Sequence, residues 1–356
     1  MPVSTALFIL RTALLSTSIA DAHSAMRSAI AELEDGSSLV TPVAVDEVAK
    51  KPVHKKKVVS PPPLKVLSLF DGISCARVAL DKTGFTHVDY YASELDKKAI
   101  QIAQKNWPET HQLGDVCEVK KMDGVFLLIG GSPCQDLSIA KAGRKGLDGE
   151  RSGLFWEYVR IKNESEPKWF ILENVASMSK EASAIISAEM GVEPVMINAG
   201  LVSAQFRERL FWTNIPIVGL PEDRHIVLTD ILVKEPDEKY SLSDVHFTPM
   251  PNKVFTPTGL VRVGFLGNTT SEESSTWPAE ARVYSSAGKS PTLMTCYPPN
   301  IDDGKTRRSL TPIECERLQG LPDNYTDGVS DAHRIHALGN AFHVDVVAWI
   351  LSFIPR

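Results

Sequence analysis

One thiol, one carboxylate and two guanidinium groups occupy positions from which they could act together. Cys134 closes the stretch Gly130-Gly131-Ser132-Pro133-Cys134, with Gln135 after it. The run before it, Val125-Phe126-Leu127-Leu128-Ile129, is short, apolar and bounded by Gly and Pro, which predicts a buried parallel strand. A cysteine on the loop leaving such a strand stands where open α/β sheets hold their ligands. Pro133 restricts the backbone before the sulfur, and the two glycines would let a substrate come close. A thiol attacks as the thiolate, and a free cysteine of pKa ~8.5 is only a few per cent ionised at neutral pH. It therefore needs activation or coupled proton transfer. A lone cysteine in such a place is more often a small buried residue ending a strand, so its neighbours decide.

Those neighbours carry charge. Trp169-Phe170-Ile171-Leu172 is a second apolar strand and ends in Glu173-Asn174-Val175. Gln205-x-Arg207-x-Arg209 leads into Leu210-Phe211-Trp212, and alternate residues of a strand share one face, so these three side chains are expected to point together. Two arginines on one face of a buried strand need an anion or polar acceptors nearby. Between Cys134 and a helix over 154–161, the loop holds Lys141, Gly143, Arg144, Lys145, Gly146, Gly149 and Arg151. Its glycines and positive charge suit either a lid closing over a polyanion or a solvated surface loop.

The first elements of the sheet set out a nucleoside-type pocket. Strand Lys65-Val66-Leu67-Ser68-Leu69-Phe70 is followed by Asp71-Gly72-Ile73-Ser74-Cys75 and a helix to about Thr83. Such a turn and helix start present free N–H groups to a ligand. The turn is not G-x-G-x-x-G, so a dinucleotide fold and a dehydrogenase are disfavoured. Strand 88–93 ends in Glu94-Leu95-Asp96, where a carboxylate can accept from ribose hydroxyls, and helix 97–106 follows. Gly114-Asp115-Val116 puts another carboxylate at a strand tip, where it can accept from an exocyclic amine. Each acid could equally cap a helix; three such tips in order favour an adenosine-type site.

The chain around these elements is ordinary in composition. Its 356 residues, 43% hydrophobic and 23% charged, provide for one large domain and a smaller one. Five scattered cysteines without a C-x-x-C pair argue against a disulfide framework and a structural zinc site, and for a reducing compartment. A net charge of −6 means that any nucleic-acid binding must rest on local basic patches. Residues 1–64 form an extension: an apolar Ser/Thr-rich start that makes a poor signal peptide, a short amphipathic helix within 21–35, and a Lys/Pro-rich tether over 36–63. The start is too short and too interrupted to span a membrane.

Residues 65–214 carry the core, and residues 282–356 return to it. Between them, residues 215–281 break into short strands, prolines and isolated aromatics, with Lys253, Arg262, Asn268, Thr269 and Thr270 as candidate contacts. Thr311-Pro312-Ile313-Glu314 predicts a helix start with a capping box, and a last helix is expected over 344–353.

The order of motifs resembles that of the DNA (cytosine-5) methyltransferases. The pieces that carry the resemblance are Phe70-Asp71-Gly72, Glu94-Leu95-Asp96, Gly114-Asp115-Val116, Ser132-Pro133-Cys134-Gln135, Glu173-Asn174-Val175 and Gln205-Phe206-Arg207-Glu208-Arg209. The segment 308–323 and Gly339-Asn340-Ala341 complete the set over about residues 65–356. Ser132 stands where many bacterial members have proline, and with Arg144-Lys145-Gly146-Leu147 it resembles the animal de novo enzymes and some phage and bacterial members.

The resemblance implies a Rossmann-like α/β methyltransferase sheet with helices on both faces, plus a small irregular target-recognition domain at 215–281. It implies S-adenosyl-L-methionine as cofactor, double-stranded DNA as partner, and an intracellular, DNA-containing compartment. By resemblance, Cys134 attacks C6 of a flipped-out cytosine. Glu173 engages N3 and the exocyclic amine, and Arg209 with Arg207 holds O2 and the surroundings of the sulfur. Phe70, Asp71, Gly72, Glu94, Leu95, Asp115, Val116, Leu154, Asn340 and Ala341 would hold the cofactor. Two other readings stand beside this one: a tRNA cytosine-5 methyltransferase, since one branch of the family modifies tRNA, and a catalytically silent DNA-binding paralogue.

Overall fold

The structure, a computed structural model of the full chain, describes residues 62–133, 152–256, 258–267 and 278–355. The N-terminal extension, Cys134, the basic loop after it, and Asn268, Thr269 and Thr270 all lie outside the described residues.

Seven strands form the main sheet: β1 (Leu64–Leu69), β2 (Val88–Ser93), β3 (His111–Gln112), β4 (Leu127–Gly130), β5 (Trp169–Val175), β6 (Val195–Asn198) and β7 (Glu208–Thr213). Their order is β3-β2-β1-β4-β5-β7-β6. The first five are parallel, and β7 runs antiparallel to both β5 and β6. Central parallel strands are covered on both faces, which is why β4 reads Leu-Leu-Ile-Gly with all four residues buried.

Alternation sends neighbouring side chains into two different cores. Val66, Leu127, Ile129 and Ile171 join one. Leu67, Leu128, Phe170 and Leu172 join the other. Helices α1 (Cys75–Lys82), α2 (Lys97–Asn106), α5 (Pro312–Leu318), α6 (Asp331–Asn340) and α7 (Val344–Leu351) supply the first core. Helices α3 (Phe155–Ser165) and α4 (Lys180–Met190) supply the second. This is the expected α/β sheet with helices on both faces. Among the described residues, no helix is long and apolar enough to cross a membrane.

Helix starts follow their capping residues. Asp96 accepts from the N–H groups of Lys98 and Ala99 to begin α2, and Ser179 accepts from Ala182 to begin α4. The capping box of α5 is present as its sequence predicts, with Thr311 and Glu314 exchanging hydrogen bonds around Pro312.

Five further strands make a second sheet in the order β12-β11-β10-β9-β8. They are β8 (Phe247–Phe255), β9 (Val261–Leu266), β10 (Arg282–Ser285), β11 (Asn300–Asp302) and β12 (Arg307–Ser309). β8, which contains Lys253, and β9 lie within 215–281, while the other three strands follow it. Only β10 and β11 pair in parallel, and register shifts interrupt β8 against β9 and β9 against β10. Short, bulged strands carry little periodicity, which is why this stretch reads as irregular from sequence.

Two buried groups oppose each other in acid. His343, the N-cap of α7, is held down at about 4 by burial, with Arg207 and Lys82 adding to the shift against Asp345. Asp71 is pushed up to about 6, chiefly by burial. A depressed histidine contributes stability that is present above its unfolded value and is lost as pH falls toward 4; a raised carboxyl gains stability over roughly pH 6 to 3.8. Between pH 7 and 5, His343 should cost about 2 kcal/mol and Asp71 should return about 1 kcal/mol. We expect His343→Asn, which keeps a capping acceptor, to remove the loss. Urea unfolding at pH 7 and pH 5 should show the variant gaining about 2 kcal/mol relative to wild type on acidification. Equal pH dependence in both proteins would refute the assignment.

Candidate active site

Parallel strands deliver the predicted residues to one edge. The strand order reverses between β1 and β4, and such a reversal opens a crevice beyond the strands' carboxyl ends. A cleft of about 270 Å³ lies there. Phe70 and Gly72 reach it from the end of β1, Glu94 from β2, Gly131, Ser132 and Pro133 from β4, and Glu173 from β5. Arg207, Arg209 and Asn340 complete the predicted set that lines it. Asp71, Leu95, Asp115, Val116, Leu154 and Ala341 are not among its lining residues.

The β1 turn is unusual in backbone. Phe70, Gly72 and Ser74 all have positive φ, at 56°, 59° and 59°. A left-handed Phe costs about 1–3 kcal/mol and persists only where surroundings enforce it. Here the Glu94 carboxylate does so from the next strand, accepting from Gly72 N at 2.8 Å and, on its other oxygen, from Leu95 N and Asp96 N. The Asp71 side chain turns inward, accepting from Ser74 Oγ at 2.5 Å and Tyr90 Oη at 2.7 Å. It braces the turn rather than facing the cleft. The Cys75 thiol beside it is pushed upward by burial and then by Asp71, so it is no nucleophile.

Asp96 and Asp115 are helix caps, the alternative that each acid allows. Asp115 accepts from Cys117 N at 3.0 Å to open a 3₁₀ turn. Leu95 is 64% exposed, Val116 is buried, and Leu154 packs at the rim of the second core.

The glycines before Cys134 answer to the protein itself. A Cβ on Gly130 would lie 2.9 Å from the Leu69 carbonyl and 3.1 Å from the Tyr158 ring. On Gly131 it would meet Phe342 at 2.8 Å and the Glu173 carboxylate at 3.0 Å. The room expected for a substrate is filled by β1, α3, Phe342 and the Glu173 carboxylate. Ser132, buried, is held by Asn174, whose side-chain amide donates to its carbonyl at 3.3 Å and its hydroxyl at 3.2 Å. Asn174 thereby fixes the approach to Pro133.

The three side chains of Gln205, Arg207 and Arg209 do not share one strand face, because β7 begins only at Glu208. Gln205 makes an isolated bridge to Ser290, and its buried amide bonds Leu318 O, Gln319 Oε1 and Leu293 N. Arg207 donates to the carbonyls of Gly339 (3.2 Å) and Ala341 (3.0 Å), one on each side of Asn340. It positions Asn340 in the cleft. Gly339 is required there, since a Cβ would lie 2.7 Å from the Met294–Thr295 backbone. Arg209 meets an anion: its Nε lies 2.9 Å from Glu173 Oε1. Both side chains keep about a seventh of their surface, 16% and 14%, so the pair faces the cleft. His336, one turn before Asn340 and 3.2 Å from its amide, also lines the cleft and had no sequence motif to mark it.

The seven-stranded sheet, with helices on both faces and a cleft where its strand order reverses, is a methyltransferase fold. Residues 64–356 match the family described as C-5 cytosine-specific DNA methylase, and the chain belongs to that family. It is similar to the type II methyltransferase M.HhaI of Haemophilus parahaemolyticus, at 27% identity over 81% of this chain and 93% of that protein. It is also similar to M.DsaV of Dactylococcopsis salina, at 30% identity over 82% of this chain and 87% of the relative. Among solved structures, the Entamoeba histolytica methyltransferase EhMeth shares the fold with a TM-score of 0.60 at 16% identity, over 82% of this chain and 97% of that one. The Dnmt2 methyltransferase of S. pombe does so with a TM-score of 0.58 at 16% identity, over 81% and 97%.

Gly131→Ala tests the packing of the cleft. Overfilling should destabilise by about 1–3 kcal/mol and displace the Glu173 carboxylate. Thermal unfolding and methyl-transfer rate should both fall; an unchanged melting temperature would mean that the ring and carboxylate are not in contact with Gly131.

Proposed function

We propose that the chain transfers a methyl group to C5 of a cytosine in double-stranded DNA through a covalent bond between Cys134 Sγ and C6. The observation that carries the reading is the Glu173–Arg209 pair, at 2.9 Å, bordering the same cleft as the Gly131-Ser132-Pro133 segment that leads into Cys134. Cytosine C5 is a poor nucleophile until something adds at C6, and a thiolate is the direct means. Addition pushes an electron pair toward C5, where the enamine forms. Glu173 accepts from the exocyclic amine and moves a proton at N3; Arg209 holds Glu173 and donates to O2. Once that electron pair has bonded C5 to the methyl group, loss of the C5 proton to a base lets its electrons re-form the C5=C6 bond as the bond to Cys134 breaks by β-elimination. The cytosine must leave the stack to be reached, at a cost of a few kcal/mol.

The residues at the β1 and β2 tips fit S-adenosylmethionine, which supplies an electrophilic methyl group when bound. Glu94 uses three of its roughly four acceptor positions on backbone N–H groups, which leaves one for a ribose hydroxyl. Asp115 accepts one backbone N–H and keeps capacity for an exocyclic amine. Phe70, Gly72 and Asn340 border the cleft, Asp71 braces the turn between the first two, and Leu95, Val116, Leu154 and Ala341 take their cofactor role from the family pattern rather than from lining the cleft. Arg207 acts through Asn340.

The test is methyl transfer from labelled S-adenosylmethionine to double-stranded DNA and to tRNA, with Cys134→Ser alongside. Label should enter DNA at cytosine C5, and the variant should lose about 10³-fold or more in rate while still binding cofactor. Label in tRNA alone would assign the chain to the RNA-modifying branch. No label in either, with cofactor bound, would make it a silent paralogue.

A further inference from the structure

Of the described ionisable side chains that line the cleft, His336 alone stands outside the sequence motifs. The others are Glu94, Asp96, Glu173, Arg207 and Arg209, and each has a partner within the fold. Glu94 accepts from three backbone N–H groups, and Asp96, which α2 brings against α6, caps its own helix. Glu173 pairs with Arg209, and Arg207 donates to the carbonyls of Gly339 and Ala341. Along α6 itself, Asp331 pairs with Lys239, Arg334 with Glu316, and His333 shares a hydrogen bond with Ser330. His336 meets the side chain of Asn340 instead, with Nε2 3.2 Å from Nδ2.

That contact has two forms. An unprotonated Nε2 is an acceptor and takes a hydrogen from the Asn340 amide, which leaves Oδ1 of Asn340 for the cleft. An imidazole protonated at both nitrogens has two donors and no acceptor. The amide must then turn about its Cβ–Cγ bond, bringing Oδ1 to Nε2 and its NH₂ group to the cleft. Such a torsion is broad and roughly two-fold, so both settings are open to it. The backbone stays in place, because Arg207 holds the carbonyls on both sides of Asn340. Histidine is also the side chain that ordinarily changes charge between about pH 8 and pH 5.

The two settings offer a ligand opposite things. The first presents an acceptor and adds no charge. The second withdraws the acceptor and adds a positive charge. S-adenosylmethionine carries a sulfonium and an ammonium against a single carboxylate, so it is a net cation with hydrogen-bond donors. S-adenosylhomocysteine, the product left after methyl transfer, has lost the sulfonium charge and is repelled less.

We propose that His336 is a positioning residue whose protonation sets which end of the Asn340 amide faces the cofactor, so that acid weakens binding of S-adenosylmethionine more than of S-adenosylhomocysteine. The inference rests on S-adenosylmethionine occupying this cleft. Linkage is reciprocal, so the cofactor in turn expels a proton from His336.

The experiment uses the full chain without DNA, beside His336→Gln, whose side-chain oxygen accepts from Asn340 as the neutral ring does but takes up no proton. Both ligands are titrated calorimetrically at pH 7.5 and pH 5.5. On acidification the wild type should lose about tenfold more affinity for S-adenosylmethionine than the variant does, and less than that for S-adenosylhomocysteine. Asp71, pushed up to about 6, and the ligand's own amine titrate alike in both proteins and cancel in the comparison. Heats of S-adenosylmethionine binding at pH 6.5, in two buffers of different ionisation enthalpy, should show the wild type releasing more protons than the variant. His336 is exposed, so the melting temperature at pH 7.5 should not change. Equal pH dependence and equal proton release in the two proteins would overturn the inference and leave the cofactor reading intact. So would acid that tightens wild-type binding relative to the variant. If the wild type binds neither compound, the cofactor reading fails and this inference goes with it.

Discussion

The active site depends on β7 running antiparallel between β5 and β6. Had it run parallel, Thr213 would lie at the carboxyl end of β5, with Arg209 about 13 Å and Arg207 about 20 Å away toward the opposite edge of the sheet. Reversed, β7 sets Arg209 opposite Val175, and the guanidinium reaches the carboxylate of Glu173. The loop entering β7 then falls at the same edge. From there Gln205 takes hold of Leu318, Gln319 and Leu293, and Arg207 takes hold of Gly339 and Ala341. One reversal of chain direction brings the late segments of the chain to a site built from its first strands.

Buried carboxylates do the rest of that joining. Glu314 accepts from both terminal nitrogens of Arg308 at 2.8 and 2.6 Å, from Thr311 N at 2.7 Å and from Val233 N at 3.0 Å. It thus links β12 of the second sheet, the start of α5 and the segment after β7. Glu316, one turn away from the cap, gathers Asn324 N, Thr326 and Arg334 in the same manner. Desolvation offsets much of the attraction in such pairs, so their value lies in specifying one arrangement of segments that are far apart in sequence.

Much of the fold was legible because its signals are local. Apolar runs bounded by Gly or Pro marked β1, β4 and β5, and Thr311-Pro312-Ile313-Glu314 announced α5 through its own capping chemistry. Glu94 and Glu173 could be placed because strand tips in a parallel sheet converge on one edge, whereas Arg209 and Asn340 were marked by the resemblance in motif order. What escaped depended on partners distant in sequence. Nothing near Asp71 tells that Tyr90 will draw its carboxylate inward, or near Arg207 that its acceptors lie more than 130 residues on. Period-two reasoning failed at Gln205 because it assumes a strand that has not yet begun there. The second sheet was illegible for another reason: register shifts interrupt the pairing of β8 with β9 and of β9 with β10.

The packing of Gly130 and Gly131 bears on how a collection of such sequences is to be interpreted. Both positions are closed to a side chain by Leu69, Tyr158, Phe342 and Glu173, whether or not any substrate ever enters. Selection for folding alone would therefore preserve them. A descendant that had lost its activity, or had changed its polymer, would still carry the pair. In evolutionary comparison these glycines record shared architecture, and their presence is no evidence of turnover.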